Sequence, residues 1–121
     1  MARTDWVTRL FNSIDNKDTE AFLGFLSADV VFRFGNGNPV SGRATVAEVV
    51  SGFFDSIREI HHDLVSIWDK EEAVICHGTV TYTRHDSTTL SVPFANVLGV
   101  GDGLIEEYLI FADVSELYES A

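Results

Sequence analysis

The sequence predicts an α+β fold in which a strongly curved, mostly antiparallel sheet forms a half-open cone, with the N-terminal helices packed on its concave face. Residues 58–112 carry four long strand-like segments separated only by tight polar turns, and the part of the chain before them has mostly helical spacing. With 121 residues and 45% hydrophobic composition, the chain can bury one core. We therefore expect residues 1–121 to form a single domain.

Two short helices are predicted at the start of the chain. Asp5 can cap the first and Asp18 the second, because an aspartate side chain accepts hydrogen bonds from the free backbone N–H groups of a first turn. The run Asp15-Asn16-Lys17 is predicted to end the first helix before the second begins. Apolar residues repeat at helical spacing in both segments: Trp6, Val7, Leu10, Phe11 and Ile14 in the first, and Ala21, Phe22, Phe25 and Leu26 in the second.

A short aromatic strand is predicted at residues 30–34, after a turn at residues 27–29. The loop Gly35-Asn36-Gly37-Asn38-Pro39 follows. Its residues tolerate positive φ, but it lacks both the Lys-Ser/Thr of a P-loop and a G-x-G-x-x-G motif, so phosphate binding is not expected. A third helix then presents a broad apolar face that needs a sheet to cover it, made of Val46, Val49, Val50, Phe53, Phe54 and Ile57.

Four strands are predicted in the second half of the chain, at residues 61–69, 73–84, 89–100 and 104–112, and we expect them to pair in sequence order. Gly101-Asp102-Gly103, between the last two, is a strong signal for a tight hairpin turn. Residues 113–118 are predicted to form a short helix or a turn that begins at Asp113.

Composition argues against several classes of function. Eight Lys and Arg against nineteen Asp and Glu leave a formal charge of −11, which repels nucleic acids and anionic membranes. Cys76 lies in an apolar run and has no second cysteine to pair with, so it is expected to be a small buried hydrophobe rather than a nucleophile. The N-terminus lacks an apolar signal core, and no apolar run approaches the ~18 residues that cross a bilayer. A cytoplasmic location is the expectation.

Several short motifs follow one another along the chain: Asp29-Val30-Val31-Phe32 with Gly42 downstream, His62 ahead of Trp68, Tyr82-Thr83-Arg84-x-Asp86, and Glu106-Glu107-Tyr108 with Asp113. Together with the predicted order of elements, they resemble the SnoaL-like branch of the nuclear transport factor 2-like superfamily. The resemblance covers residues 6–118 and implies a pocket between the helices and the sheet. It does not imply one reaction, because this scaffold serves isomerases, epoxide hydrolases, cyclases, dehydratases and non-catalytic binding modules.

The residue sets of the better-known enzymes that the resemblance brings to mind are absent. The positions that would hold the base, tyrosine and acid of a ketosteroid isomerase fall near Arg33 or Phe34, Leu10 and Asn96, and only Asn96 keeps a hydrogen-bond donor. In SnoaL-type cyclases an acid/base aspartate lies near the end of the last strand, where Asp113 is the nearby carboxylate. A resemblance to limonene epoxide hydrolase implies polar catalytic residues at five positions. None of the five matches, because this sequence has Phe32, Phe34, Gly78, Val80 and Ile110 there.

Strand alternation selects the residues that face the expected pocket, since successive side chains point to opposite faces of a sheet. The selected positions are overwhelmingly apolar, and burying one aromatic side chain removes ~150–250 Å² from water. The ligand is therefore expected to be a mainly hydrophobic small molecule. The expected ligand-binding residues are Phe32, Phe34, Val80, Phe94, Leu98, Tyr108 and Ile110.

Four polar residues are the catalytic candidates: His62, Asn96, Tyr82 and Asp113. Histidine titrates near neutral pH, so His62 could act as an acid or base or could instead be satisfied by a neighbour. Asn96, which lies between apolar neighbours, needs a hydrogen-bond partner that is the backbone, a water or a ligand. Tyr82 equally fits a core aromatic with its hydroxyl at the rim, and Asp113 equally fits the cap of the terminal turn.

Neither a metal nor a bound cofactor is expected. His61 and His62 are neighbours on a strand and point to opposite faces, and His77 is expected to face away from the pocket. The outward face of the sheet combines threonines with Val97, Leu109 and Phe111. Because a second copy commonly covers a half-apolar sheet surface of this kind, we expect a homodimer formed through the outer sheet face.

Two functions of different classes fit the sequence. The first is a cofactor-independent SnoaL-like enzyme that performs isomerase, cyclase, hydrolase or dehydratase acid/base chemistry on a hydrophobic oxygenated metabolite. The second is a non-catalytic ligand-binding or dimerisation module with the same pocket. None of the expected inward positions is Asp or Glu, with Glu106 at the start of the last strand as the one possible exception. A mechanism that needs a carboxylate inside the pocket is therefore less favoured than the binding module. Whether the protein is an enzyme is left open at this point.

Overall fold

The computed structural model describes residues 4–118. Its helices are α1 (Thr4–Asp15), α2 (Thr19–Leu23) and α3 (Arg43–Ser56). Asp18 caps α2 as predicted, with its side chain accepting a hydrogen bond from the backbone N–H of Ala21. Asp5 lies inside the first turn of α1 rather than before it. Within residues 4–118, no helix combines the length and the apolar character that a membrane crossing requires.

The strands are β1 (Leu26–Phe34), β2 (Val40–Ser41), β3 (Glu59–Asp69), β4 (Ala73–Thr83), β5 (Thr89–Gly101) and β6 (Leu104–Ala112). They form one sheet in the order β2-β1-β6-β5-β4-β3. The four long strands pair antiparallel in sequence order, as predicted. Asp102 and Gly103 have φ angles of 53° and 79°, which suits the tight turn between β5 and β6. The predicted α+β fold, a curved and mostly antiparallel sheet with N-terminal helices, is confirmed.

Three local features differ from the sequence predictions or are added to them. Residues 27–29 were predicted to turn but belong to β1, because β1 runs parallel to β6 and the pairing extends to Leu26. The two-residue strand β2 was not predicted. The segment after β6 takes the turn alternative: the backbone N–H of Ser115 bonds to the Asp113 carboxylate at 3.0 Å, and that of Leu117 bonds to the Val114 carbonyl.

A β-bulge in β3 changes which residues of that strand face the concave side. Leu64 pairs with Gly78 and Ser66 pairs with His77, so Val65 is an extra residue and is 68% exposed. A Cβ atom at Gly78 would lie 1.9 Å from the Asp63 carbonyl oxygen, which explains why glycine is needed at this close approach. The bulge shifts the alternation by one residue, so Trp68 lies on the convex face.

Helix α3 covers the concave face of the sheet. Val46, Val50 and Phe54 are buried in the main core. The last turn of the helix is fixed by Lys17, whose ammonium group donates to the carbonyls of Phe54 at 3.3 Å and Ile57 at 3.0 Å. A lysine there is favourable because the C-terminal carbonyls of a helix carry partial negative charge. This contact holds α3 in place over the sheet.

Candidate active site

A cavity of about 60 Å³ lies between α3 and the concave face of the sheet. It reaches solvent at Val49, which is 41% exposed. Its wall is almost entirely aromatic and aliphatic, and His62, Asn96 and Tyr108 bring the polar atoms. The apolar lining residues are Ile14, Phe22, Phe32, Phe34, Val49, Val50, Phe53, Phe54, Ile60, Phe94 and Ile110.

The structure brings most of the sequence-predicted pocket residues to this wall. Of the catalytic candidates, His62 and Asn96 line the cavity, and Tyr82 and Asp113 are not among its lining residues. Of the ligand-binding candidates, five line it: Phe32, Phe34, Phe94, Tyr108 and Ile110. Val80 and Leu98 also have buried side chains, but they belong to the core behind the wall.

The His62 imidazole is held by Asp15, the last residue of α1. Nδ1 of His62 lies 2.6 Å from one carboxylate oxygen of Asp15, and the backbone N–H of His62 donates to the other at 3.1 Å. The His62 side chain is 9% exposed and that of Asp15 is 20% exposed. Since a carboxylate accepts, Nδ1 is the donor in this contact, and Nε2 is the nitrogen left for the cavity.

The aromatic rings beside His62 fix the plane of its imidazole. Phe11 from α1 and Phe94 from β5 pack against it, with ring centroids 4.8 Å and 5.1 Å away. The Phe94 contact is edge-on, with an interplanar angle of 86°. His62 is therefore positioned by one charged partner and two apolar ones.

Asp15 is a functional candidate that the sequence interpretation missed, because it assigned residues 15–17 to a helix breaker. A carboxylate in the last turn of a helix is unfavourable, since that end of the helix dipole is negative. The contacts with His62 give a reason for a carboxylate at this place. One signal was present in the sequence: Asp15 lies four residues after Phe11, so both are on the face of α1 that packs inward.

Asn96 is the second polar group of the wall. Its side chain is 2% exposed, and its Oδ1 atom is fully buried without a hydrogen-bond partner among the described residues. Buried amide oxygens are rarely left unpaired, because losing the hydrogen bond with water costs about 1–3 kcal/mol. Asn96 lines the cavity, but its unpaired oxygen is closed off from solvent rather than open to the cavity.

Tyr108 lies on β6, next to Asn96 on the same face. Burial raises the pKa of the Tyr108 hydroxyl well above its ordinary value; the neighbouring Cys76 and the charge of Asp15 raise it further, and a hydrogen bond from the Asn96 side chain partly offsets the increase. Its ring packs between Phe22 and Phe32, with both centroids 5.5 Å away. Tyr108 is therefore a neutral phenol with a fixed ring.

The other polar candidates have structural partners. Burial raises the pKa of the Tyr82 hydroxyl, and its ring packs edge-on against Phe53 behind the cavity wall. Asp113 is exposed and accepts from the backbone of Ser115, which lowers the pKa of its carboxyl. The Arg84 guanidinium donates to the Leu117 carbonyl at 2.9 Å and fastens the C-terminal turn.

The described residues contain no group of three or more His, Cys, Asp or Glu side chains that could hold a metal ion. His61 and His62 point to opposite faces of β3, and the His61 side chain is 65% exposed. His77 stacks on Trp68 on the convex face with centroids 5.4 Å apart. The histidines are thus kept apart by strand alternation.

Comparison with protein families gives a match between residues 7–108 and the family described as SnoaL-like domain. The match begins within α1 and ends at Tyr108, so it includes every residue that lines the cavity except Ile110. No curated protein sequence matches the chain.

Solved structures with the same fold are similar over nearly the whole chain. A proposed polyketide cyclase from Xanthomonas campestris is 22% identical with a TM-score of 0.84, over 94% of this chain and 92% of the other. An NTF2-like protein of unknown function from Burkholderia pseudomallei is 17% identical with a TM-score of 0.86, over 97% and 95%. A protein with a ketosteroid isomerase-like fold from Catenulispora acidiphila, in complex with trimethylamine, is 16% identical with a TM-score of 0.82, over 90% and 85%. These similarities establish the fold.

Proposed function

The chain belongs to the SnoaL-like domain family of the nuclear transport factor 2-like superfamily, and from this premise we propose that it is a cofactor-independent enzyme in which His62 is the acid/base residue. The single observation that carries the proposal is the Asp15–His62 pair at the cavity wall. The family uses its pocket for small molecules, and this pair supplies the carboxylate that the sequence did not reveal. The carboxylate stands behind the histidine rather than in the cavity itself.

The pair fits proton transfer. Asp15 holds Nδ1, which fixes the tautomer in which Nε2 has a free lone pair toward the cavity. Nε2 can take a proton from a substrate carbon or hydroxyl, and the carboxylate then stabilises the imidazolium that forms. The same nitrogen returns the proton to another atom of the substrate or to a leaving group. General acid/base groups positioned in this way contribute about 10²–10⁴-fold in rate.

The cavity also suggests the kind of substrate. An apolar wall favours a hydrophobic metabolite, and the few polar atoms suit a molecule with few oxygens. A cavity of about 60 Å³ is far smaller than the ~300–1,000 Å³ of pockets that enclose drug-sized ligands. Only the reacting end of a larger substrate would enter beside His62, while the rest would lie at the opening near Val49.

A proton-exchange experiment tests the proposal without knowledge of the natural substrate. The protein is incubated in D₂O with 2-tetralone and 6-hydroxy-2-tetralone, and loss of the α-proton signals is followed by ¹H NMR. We expect the wild-type protein to accelerate the exchange, and His62→Gln and Asp15→Asn to lower the rate by about 10²-fold or more. Any small molecule retained by the purified protein, identified by native mass spectrometry, is assayed in the same way.

The chain offers a matched control for this test. His61 and Asp63 form another histidine–aspartate pair with Nε2 and Oδ1 3.1 Å apart, but both side chains are more than half exposed on the convex face. Asp63→Asn should leave the exchange rate unchanged. An exchange rate that falls equally in Asp63→Asn and Asp15→Asn, or one that does not depend on His62, would contradict the proposal.

A non-catalytic binding module is the second candidate, and the lining itself favours it: none of the lining residues is Asp, Glu, Lys or Arg. For such a module, a retained ligand would be found in the wild-type protein, and its uptake would not depend on Asp15. The Asp15→Asn variant therefore separates the two functions.

We also propose that two copies pair through the convex face of the sheet. Large apolar side chains lie exposed on this face: Trp68 at 48%, Phe111 at 55% and Ile75 at 37%. Large exposed apolar side chains gathered on one face of a sheet are typical of protein–protein contacts. With a net charge of −11, two copies would repel each other at long range, so the exposed apolar side chains of this face are the favourable place for them to meet.

A further inference from the structure

Two residues of α3, Val49 and Phe53, line the cavity one helical turn apart. They are four residues apart in sequence and therefore lie on the same side of the helix. Val49 is at the end of the cavity that reaches solvent. Phe53 is half-buried and packs against the core. The α3 wall of the cavity thus runs from an exposed aliphatic side chain to a half-buried aromatic one.

The ring of Phe53 separates the cavity from a part of the core that the cavity does not reach. It contacts the ring of Phe34, which is a lining residue, with centroids 5.3 Å apart. It also meets the ring of Tyr82 edge-on, with centroids 5.9 Å apart. Tyr82 is 2% exposed and is not among the lining residues. A ring that contacts both a lining residue and a buried residue outside the lining is a partition between the two.

The surroundings of Tyr82 suit an apolar group. Ile60 of β3 and Leu90 of β5 pair with Tyr82 from its two sides, and both pack in or against the core. Burial raises the pKa of the Tyr82 hydroxyl, so this residue is neutral. An apolar group that reached this part of the core would therefore displace no ion and break no ion pair of these three residues.

The size of the cavity gives the partition a consequence. An apolar interior cavity of about 150 Å³ can hold a benzene molecule. The cavity here measures about 60 Å³, so a six-membered ring can enter it only by an edge while Phe53 is in place. The side chain of Phe53 itself ends in a ring of that size. Its removal would therefore add the space that a whole ring needs.

We propose that Phe53 is the specificity-determining residue of this site. Its ring limits the group that enters beside His62 to a short chain or to the edge of a ring, and a smaller side chain at this position admits a whole ring as far as Tyr82. This inference rests on the proposed function for the location of the site. It deepens that function by setting the size of the substrate group that reaches the acid/base residue.

Benzene is the probe for the test, because it is rigid and apolar and has the size of the Phe53 ring. Its dissociation constant is measured by titration of the ¹⁵N-labelled protein, followed in two-dimensional NMR spectra. We expect Phe53→Ala to bind benzene at least about tenfold more tightly than the wild-type protein, because the whole ring is then removed from water. The backbone signal of Tyr82 should shift on binding in the variant and stay in place in the wild-type protein.

Two further variants assign the effect to the partition. Val49→Ala shortens a side chain of the same helix at the open end, where it adds no enclosed space, and should leave the benzene affinity within about twofold of the wild-type value. Phe53→Leu keeps a branched side chain in the core and is less disruptive than Phe53→Ala, which leaves a larger cavity. It should bind benzene about threefold more tightly than the wild-type protein, and it decides the test if Phe53→Ala does not fold.

Three results would overturn the inference. The first is an unchanged benzene affinity in the folded Phe53 variant. The second is an equal gain in Val49→Ala, which would show that the open end and not the partition limits the ligand. The third is a shift of the Tyr82 signal when benzene binds the wild-type protein, because the ring of Phe53 would then exclude nothing, whether or not the variants fold.

Failure of the inference and failure of the proposed function are distinguishable. His62-dependent proton exchange together with a benzene affinity that does not depend on Phe53 would reject the inference and leave the enzyme proposal in place. Tighter benzene binding in Phe53→Ala without any proton exchange would reject the enzyme proposal and leave a size-selective binding site.

Discussion

The two faces of the sheet are built from the same strands, yet they differ in what they leave unsatisfied. On the concave face nearly every side chain is buried and apolar, and the buried side-chain atom left without a partner among the described residues is polar: Oδ1 of Asn96. On the convex face the polar groups are hydrated or paired, and the unsatisfied groups are apolar, with Trp68 and Phe111 about half exposed. One face therefore has the requirements of a small-molecule site, and the other has those of a protein contact.

The adjacent residues His61 and His62 show how sharply the faces differ. Their side chains are 65% and 9% exposed, although their backbones are consecutive. His61 bonds to an exposed aspartate two residues along the strand and lies 3.7 Å from Asp15, whereas His62 bonds to Asp15 itself at 2.6 Å, 47 residues away in sequence. The same residue type has a solvated role on one side of the strand and a candidate catalytic role on the other.

The largest effect is expected for cysteine reactivity. Burial on the concave side raises the pKa of the Cys76 thiol to about 12, which lowers the reactive thiolate fraction at neutral pH by about 10³-fold. We expect native Cys76 to resist iodoacetamide and to react only after unfolding. A cysteine introduced at the exposed Ser51 of α3, Ser51→Cys, lies away from the proposed dimer face and should react rapidly, and mass spectrometry should find a single adduct. Rapid alkylation of Cys76 in the native wild-type protein would contradict the assignment of the faces.

The next largest effect is expected at the bulge that sets the faces of β3. Gly78→Ala would place a Cβ atom 1.9 Å from the Asp63 backbone oxygen, so the two strands would have to separate. We expect a loss of about 3 kcal/mol or more in the free energy of unfolding, measured by urea denaturation.

A second glycine supplies the control for the bulge. A Cβ atom at Gly52, on the exposed side of α3, would meet nothing within 4 Å. Gly52→Ala should stabilise the protein by about 0.5–1 kcal/mol, because alanine loses less conformational entropy in a helix. Equal effects of the two substitutions would show that the close approach at Gly78 does not exist in solution.

The smallest effect concerns the convex face and leaves the fold intact. Trp68→Glu combined with Phe111→Glu should convert the proposed dimer to a monomer in analytical ultracentrifugation, because two carboxylates would be buried without partners. The proton exchange should be unchanged. Val49→Glu, which adds a charge at an exposed apolar site on the opposite side of the molecule, serves as the control and should remain a dimer. A wild-type protein that is monomeric at ~100 μM would reject the proposed pairing.

Much of the fold could be predicted from local patterns. Strand alternation placed Phe32, Phe94, Asn96 and Tyr108 on the inward face, and all four line the cavity. The turn at residues 101–103 and the cap of α2 followed from the conformational preferences of glycine and aspartate. Strand alternation did not distinguish the residues that line the cavity from those in the core, because the side chains of Val80 and Leu98 point to the same face of the sheet as the lining residues.

The sequence by itself determined the side of each strand on which a residue lies, and with it the apolar character of the site, because alternation is a property of the local backbone. Only the tertiary structure decided that Asp15 meets His62, that β1 runs parallel to β6, and that a bulge turns Trp68 outward. These contacts join residues far apart in the chain or depend on how two strands approach each other. Their energies come from packing between elements, which no local pattern encodes.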